Sequence, residues 1–228
     1  MDLMRLVRSL EEFLYAVMTW LIFYPRTFWR IVTSPGATGE QIKAELAKPA
    51  EQQFSDMISP PLFLVLTIFL FHLVELRLNE APDPSSLTPL ANEMLGSEQL
   101  LLLFRAVIYS LFPLLMASTL LKGRGEPIDR ETLRSPFFAQ CYFIVPLVTA
   151  EALATILVRA HVENLDIAAA LVMAASIAWY LRVQSNWFHA ERGISRARGL
   201  AIALAVMLAA TFLGFLLATT ILIDKITG

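Results

Sequence analysis

Cysteine is almost missing from this chain. The single Cys141 can form no internal disulfide, and no CxxC or Cys/His pair has metal-site spacing. Charge is scarce as well: 17% of the 228 residues are Asp, Glu, Lys or Arg, and the net charge is −2. That leaves no basic field to attract nucleic acid. The sequence contains no HExxH, Walker, GxSxG or paired-aspartate pattern, so no catalytic motif is legible and none implies a cofactor.

What fills the chain is apolar. Hydrophobic residues make up 57% of it, and mean hydropathy is +0.61, outside the balance of soluble domains. About 20 mostly apolar residues are needed to cross a bilayer. Five stretches meet that length, at 59–76, 98–121, 135–158, 165–187 and 199–223. The expected fold is therefore all-α: a polytopic helical membrane protein with five transmembrane helices. Ser59-Pro60-Pro61 and Ser135-Pro136 each place a hydroxyl before a proline suited to a first turn, marking two helix starts. Pro113 and Pro146 fall inside the second and third spans and predict local kinks.

The distribution of Lys and Arg predicts orientation. Of the 18, thirteen lie before span one or in the loops after spans two and four, three on the opposite side, and two, Arg105 and Arg182, within spans. This predicts the N-terminus in the cytoplasm and the C-terminus outside.

Residues 1–57 form a separate cytoplasmic region before the membrane domain at 58–228. Leu3, Leu6, Val7, Leu10, Leu14, Val17 and Leu21 recur at helical spacing. Glu11 and Glu12, with no small-residue cleavage pattern behind them, argue against a signal peptide. The apolar core at 13–24 is too short to span, so the segment predicts an amphipathic helix in the cytoplasmic interface. Next comes FYPRTFWRIV at 23–32, too charged for a bilayer core and too apolar for a soluble loop. Phe23, Tyr24, Phe28 and Trp29 suit the headgroup boundary, and Arg26 and Arg30 can reach lipid phosphates. The same aromatics can instead pack on the spans as a plug, and the two roles are compatible. Thr38 and Gln41 form a capping-box pattern that predicts a short polar helix running to Lys48.

Three stretches resemble the Yip family (Ypt/Rab-interacting five-span membrane proteins). YPRTFWRIV at 24–32 resembles a lead-in segment of the bacterial branch. CYFIVPLV at 141–148 is similar to its tyrosine-then-proline pattern in span three, and HAERGISRARGLAIAL at 189–204 to its loop into the last span. The DLYGP-like segment of eukaryotic relatives is missing, so GTPase binding is not carried over. The resemblance implies a non-catalytic adaptor, scaffold or accessory subunit. Its partners would be membrane lipids, other membrane subunits or a second copy.

Small residues repeat every four positions at Ala170, Ala174 and Ala178 and at Ala210, Gly214 and Ala218. Such stripes allow close helix approach, either within one bundle or across a homodimer. Ionisable residues at membrane depth are the remaining candidates, because they are costly and often mark function. His72 and Glu75 share a face of span one. By helical rise Arg105 lies about 10 Å and Glu151 about 6 Å below the same boundary. An ion pair between them follows, with His72 near enough to join. This polar cluster also supports a second reading, a small-solute or ion permease using Arg105, Glu151 and His72, although no inverted repeat is visible.

Overall fold

The computed structural model describes residues 3–76, 97–160 and 165–223. Among them every regular element is a helix. In chain order these are α1 (Leu3–Thr33), α2 (Pro35–Leu46), a 3₁₀ turn (Ala50–Gln52), α3 (Pro60–Leu76), α4 (Glu98–Arg124), α5 (Arg130–Arg159), α6 (Leu165–Arg192) and α7 (Arg196–Ile223).

Four of these, α4 to α7, are long and apolar enough to cross a membrane. α3 has 17 residues, a length of about 26 Å at 1.5 Å per residue, against a hydrocarbon core of about 30 Å. It falls short of the length expected for a fifth span. α4 and α5 run unbroken through Pro113 and Pro146.

Several helix starts differ from expectation. α5 begins at Arg130, not at Ser135-Pro136, because Asp129 forms the cap. The Asp129 carboxylate accepts from the backbone N–H groups of Glu131 and Thr132, both at 2.9 Å, and Thr132 reciprocates, accepting from the Asp129 N–H at 3.2 Å. Pro136 then sits within the second turn. α2 begins at Pro35, not at Thr38, since proline is preset for the first turn. The Thr38 hydroxyl instead donates to the Ser34 carbonyl at 2.9 Å. Gly125 and Gly193, at φ 71° and 65°, follow the ends of α4 and α6 in the left-handed region where glycine carries no steric penalty.

α5 is the central helix. In its most apolar stretch 61% of residues are buried inside the protein, against 17% in each of α4, α6 and α7. Every residue from 139 to 148 is buried. α3, α4 and α6 surround it, α7 packs on α6 and α4, and α1 and α2 lie against one end. The outward faces are apolar, with Leu103, Val107, Leu171, Phe212 and Phe215 exposed. Contiguous exposed apolar surface of this kind is what lipid covers. Two polar contacts lie within the core: Gln140 and Gln184 exchange two amide hydrogen bonds, at 2.9 and 2.5 Å, and the Tyr142 hydroxyl donates to the Ile58 carbonyl.

Candidate functional site

Two regions gather the residues singled out from sequence. The first is the seat of α1 on the bundle. Tyr24 packs its ring 4.7 Å from Phe63, which meets Tyr142 edge-on at 5.7 Å. The Tyr24 hydroxyl shares a 3.1 Å hydrogen bond with the Thr67 hydroxyl of α3. Thr27 and Ile31 are buried on the same side, and Phe23 and Phe28 pack against the core. The last carbonyls of a helix have no internal partner. Here the Trp179 indole of α6 donates to one of them, the Val32 oxygen, at 3.1 Å.

The other side of α1 faces outward. Tyr15, Met18, Ile22 and Trp29 are all more than 60% exposed, and Arg26 and Arg30 are exposed beside them. The aromatic segment thus divides: Tyr24, Phe23 and Phe28 serve as packing residues, and Trp29 with the two arginines remains at the surface. The apolar positions of the pattern at 3–21 lie outside the described side chains.

α2 and its flanks complete this end of the bundle. Gly39 lies against Trp187, so close that an added Cβ would sit 2.3 Å from the indole. Phe143 meets the same indole edge-on at 5.2 Å, and the Lys43 ammonium lies 5.6 Å from its centroid. Lys43 bonds Glu191 at 2.6 Å and Glu40 at 3.0 Å. Glu191 also binds Arg124, so one carboxylate ties α2, α4 and α6 together. Partial burial opposes the Lys43 charge, but Glu191 and Glu40 outweigh it and hold its pKa above the ordinary value. The Glu45 carboxylate is held below its usual range by the Lys48 ammonium at 2.5 Å, against burial and with help from the Phe54 N–H at 2.8 Å. Phe54 adopts φ 58°, uncommon for a bulky residue. None of the Glu191 cluster was marked by sequence spacing, since its members come from three distant segments.

The second region is a cavity of about 660 Å³ between α4, α5, α6 and α7. Arg105 and Glu151 both line it, as do Tyr109, Thr155 and Arg159. The structure therefore brings together two members of the expected polar cluster. His72 is buried on α3 and is not part of this wall, and the side chain of Glu75 lies outside the described residues.

The two small-residue stripes part company. Ala210, Gly214 and Ala218 line the cavity, and a Cβ added at Gly214 would be 3.4 Å from Ile108 of α4, so this stripe packs within the bundle. Ala170, Ala174 and Ala178 are exposed, so of the two roles expected for the stripe, packing within the bundle does not apply to them: α6 turns other faces to α5 and α7. Comparison with protein-family models, curated proteins and solved structures finds no match to this chain.

Proposed function

We propose that this chain is a non-catalytic membrane adaptor, scaffold or accessory subunit of a membrane complex, related to the Yip family. Under this reading α3 acts as a fifth span beside α4 to α7. The N-terminus is cytoplasmic, the C-terminus is outside, and the membrane is the bacterial inner membrane.

One observation carries the proposal. α1 is fastened by Tyr24, Thr27 and Ile31 while presenting Met18, Ile22 and Trp29 outward with Arg26 and Arg30 alongside. A helix held this way can lie in the lipid headgroup layer and offer a fixed surface to another subunit. The exposed alanine stripe of α6 is a second face suited to close helix contact, in a homodimer or with another membrane protein.

A specific observation also favours a permease, namely the cavity that Arg105 and Glu151 share. Pure protein in liposomes separates the two. The adaptor reading expects no solute or proton flux above that of empty vesicles. Reproducible flux that disappears in Arg105→Leu would replace it with the permease.

A further inference from the structure

α6 and α7 are clamped together near the turn that joins them. The Ser185 hydroxyl of α6 donates to the Arg196 carbonyl at the start of α7, at 2.7 Å. At Gly199 the two backbones come so close that an added Cβ would stand 2.8 Å from the Ser185 carbonyl oxygen. Beside this contact lies a cavity of about 480 Å³, within the range of small-molecule sites, about 300–1,000 Å³. Arg182, Asn186 and Arg196 line it, and Ala178, Leu181 and Leu200 complete its apolar wall. On α6 the apolar members precede Asn186, and on α7 Leu200 follows Arg196. The polar groups therefore stand nearer the turn.

The two guanidinium groups are uncommitted. Among the described residues neither makes a hydrogen bond or ion pair. From Leu165 to Ile223 the chain holds two acids: Asp166 at the opposite end of α6, and Glu191, which binds Lys43 and Arg124. Glu40 of α2, which shares a neighbouring cavity with Asn186, also binds Lys43. On α1 every acid lies at or before Glu12, about 30 Å of helix from the Val32 carbonyl that Trp179 of α6 holds. Residues 77–96, 161–164 and 224–228, outside the described set, adjoin helix ends at the other end of the bundle. Arg196 also opens α7, where the helix dipole adds positive potential. The cavity thus carries two positive charges that no described carboxylate neutralises.

Depth decides what meets those charges. Arg182 follows the start of α6 at Leu165 by about 26 Å of helix. In a hydrocarbon core about 30 Å thick, its long side chain reaches the lipid phosphates at the far boundary. Guanidinium groups bind phosphate in bidentate fashion. A soluble ion would match the arginines and leave Leu181 and Leu200 uncovered, whereas a lipid covers both. We infer that this cavity binds one anionic phospholipid. Arg182 and Arg196 hold its phosphate, Asn186 bonds the rest of the headgroup, and one acyl chain runs along Leu200 and the exposed Leu204 of α7. With no carboxylate to receive an amine, the site selects a net negative headgroup over a zwitterionic one. This reaches beyond the adaptor role, which needs no bound lipid.

The test uses the full chain in phosphatidylcholine vesicles with a trace of phosphatidylglycerol carrying a photoreactive group on its acyl chain, and maps the labelled peptides by mass spectrometry. Labelling is expected to concentrate around Leu200 and Leu204. It should fall about fivefold or more in Arg182→Gln and in Arg196→Gln, the loss of a charge-assisted bond. Both arginines are exposed, so neither change disturbs the core; melting and gel filtration verify this, and either variant suffices if the other does not fold. Arg130→Gln removes the same charge at the same end of the bundle, outside this cavity, and should leave labelling unchanged. Unlabelled phosphatidylglycerol should displace the probe, and an equal addition of phosphatidylcholine should not. Labels spread over the outward Leu103 and Phe212 and indifferent to Arg182→Gln and Arg196→Gln would mean annular lipid only. An equal fall in Arg130→Gln would mean a general effect of charge. Displacement by phosphatidylcholine would remove the headgroup selection, and displacement by inorganic phosphate would mean an ion site. Each of these four outcomes overturns the proposal.

Discussion

Gly39 of α2 and Trp187 of α6 are in direct contact, with no room between the glycine Cα and the indole for a further carbon. Their closeness seats α2 on the bundle. Phe143 and Lys43 hold the indole from two sides, so the ring cannot swing aside cheaply.

Gly39→Ala should therefore destabilise the protein although alanine is the better helix former. Overpacking of this kind costs about 1–3 kcal/mol, more than the gain of under 1 kcal/mol in helix propensity. A lower melting temperature for Gly39→Ala, largely regained in Gly39→Ala/Trp187→Leu, checks it. An unchanged or raised melting temperature would show that α2 is loosely held.

The Gln140–Gln184 pair makes an asymmetric prediction. Gln140→Leu leaves the buried Gln184 amide without its partner, at a cost of about 1–3 kcal/mol. Gln140→Leu/Gln184→Leu removes both groups and should cost less than the two single changes together. Thermal melts of the four proteins in detergent give the coupling, and simple additivity would mean the bonds contribute nothing specific.

Arg105 and Glu151 line one cavity, and their coupling is open to the same test. Arg105→Ala and Glu151→Ala should each lower stability by more than the double replacement with apolar residues, because a single change leaves charge uncompensated at membrane depth. Effects that simply add would exclude a direct pair.

Acid should loosen the Glu45 turn. The Glu45 pKa is depressed from 4.5 by Lys48. Its contribution is thus complete above that ordinary value and is lost as pH falls through the lower folded-state pKa. The melting-temperature gap between wild type and Glu45→Gln should be widest near neutrality and close as pH falls through that lowered value. Lys43 has the opposite sign. Its pKa is raised from 10.5, so its contribution is present below that value and lost only as pH rises beyond it. A gap for Glu45→Gln that stays constant down to pH 3 would mean that Lys48 does not hold the carboxylate ionised.

Orientation is checked by fusion. A reporter active only outside the cytoplasm should be active after Gly228 and silent when placed in the loop at 123–130. The reverse pattern would invert the topology.

The sequence by itself determined that the chain is built of helices and where most of them run. Apolar length and the residues that interrupt it are local properties, so α4, α6 and α7 could be read directly, each lengthened at its polar end by a charged turn. Local chemistry also misled where two signals competed. The Asp129 cap overrode Ser135-Pro136, and Pro35 overrode Thr38, because the earlier residue in each case could already satisfy the first turn. Helical rise alone predicts similar depths for Arg105 and Glu151, and the two residues line one cavity. Only the tertiary structure decided the rest. Which alanine stripe faces inward depends on the rotation of α6 and α7 about their own axes, and nearly all-apolar helices carry little sequence record of that rotation. The Glu191 tie, the Trp179–Val32 bond and the Tyr24–Thr67 bond join residues 43 to 148 positions apart. Such contacts exist only once the packing register of the bundle is set.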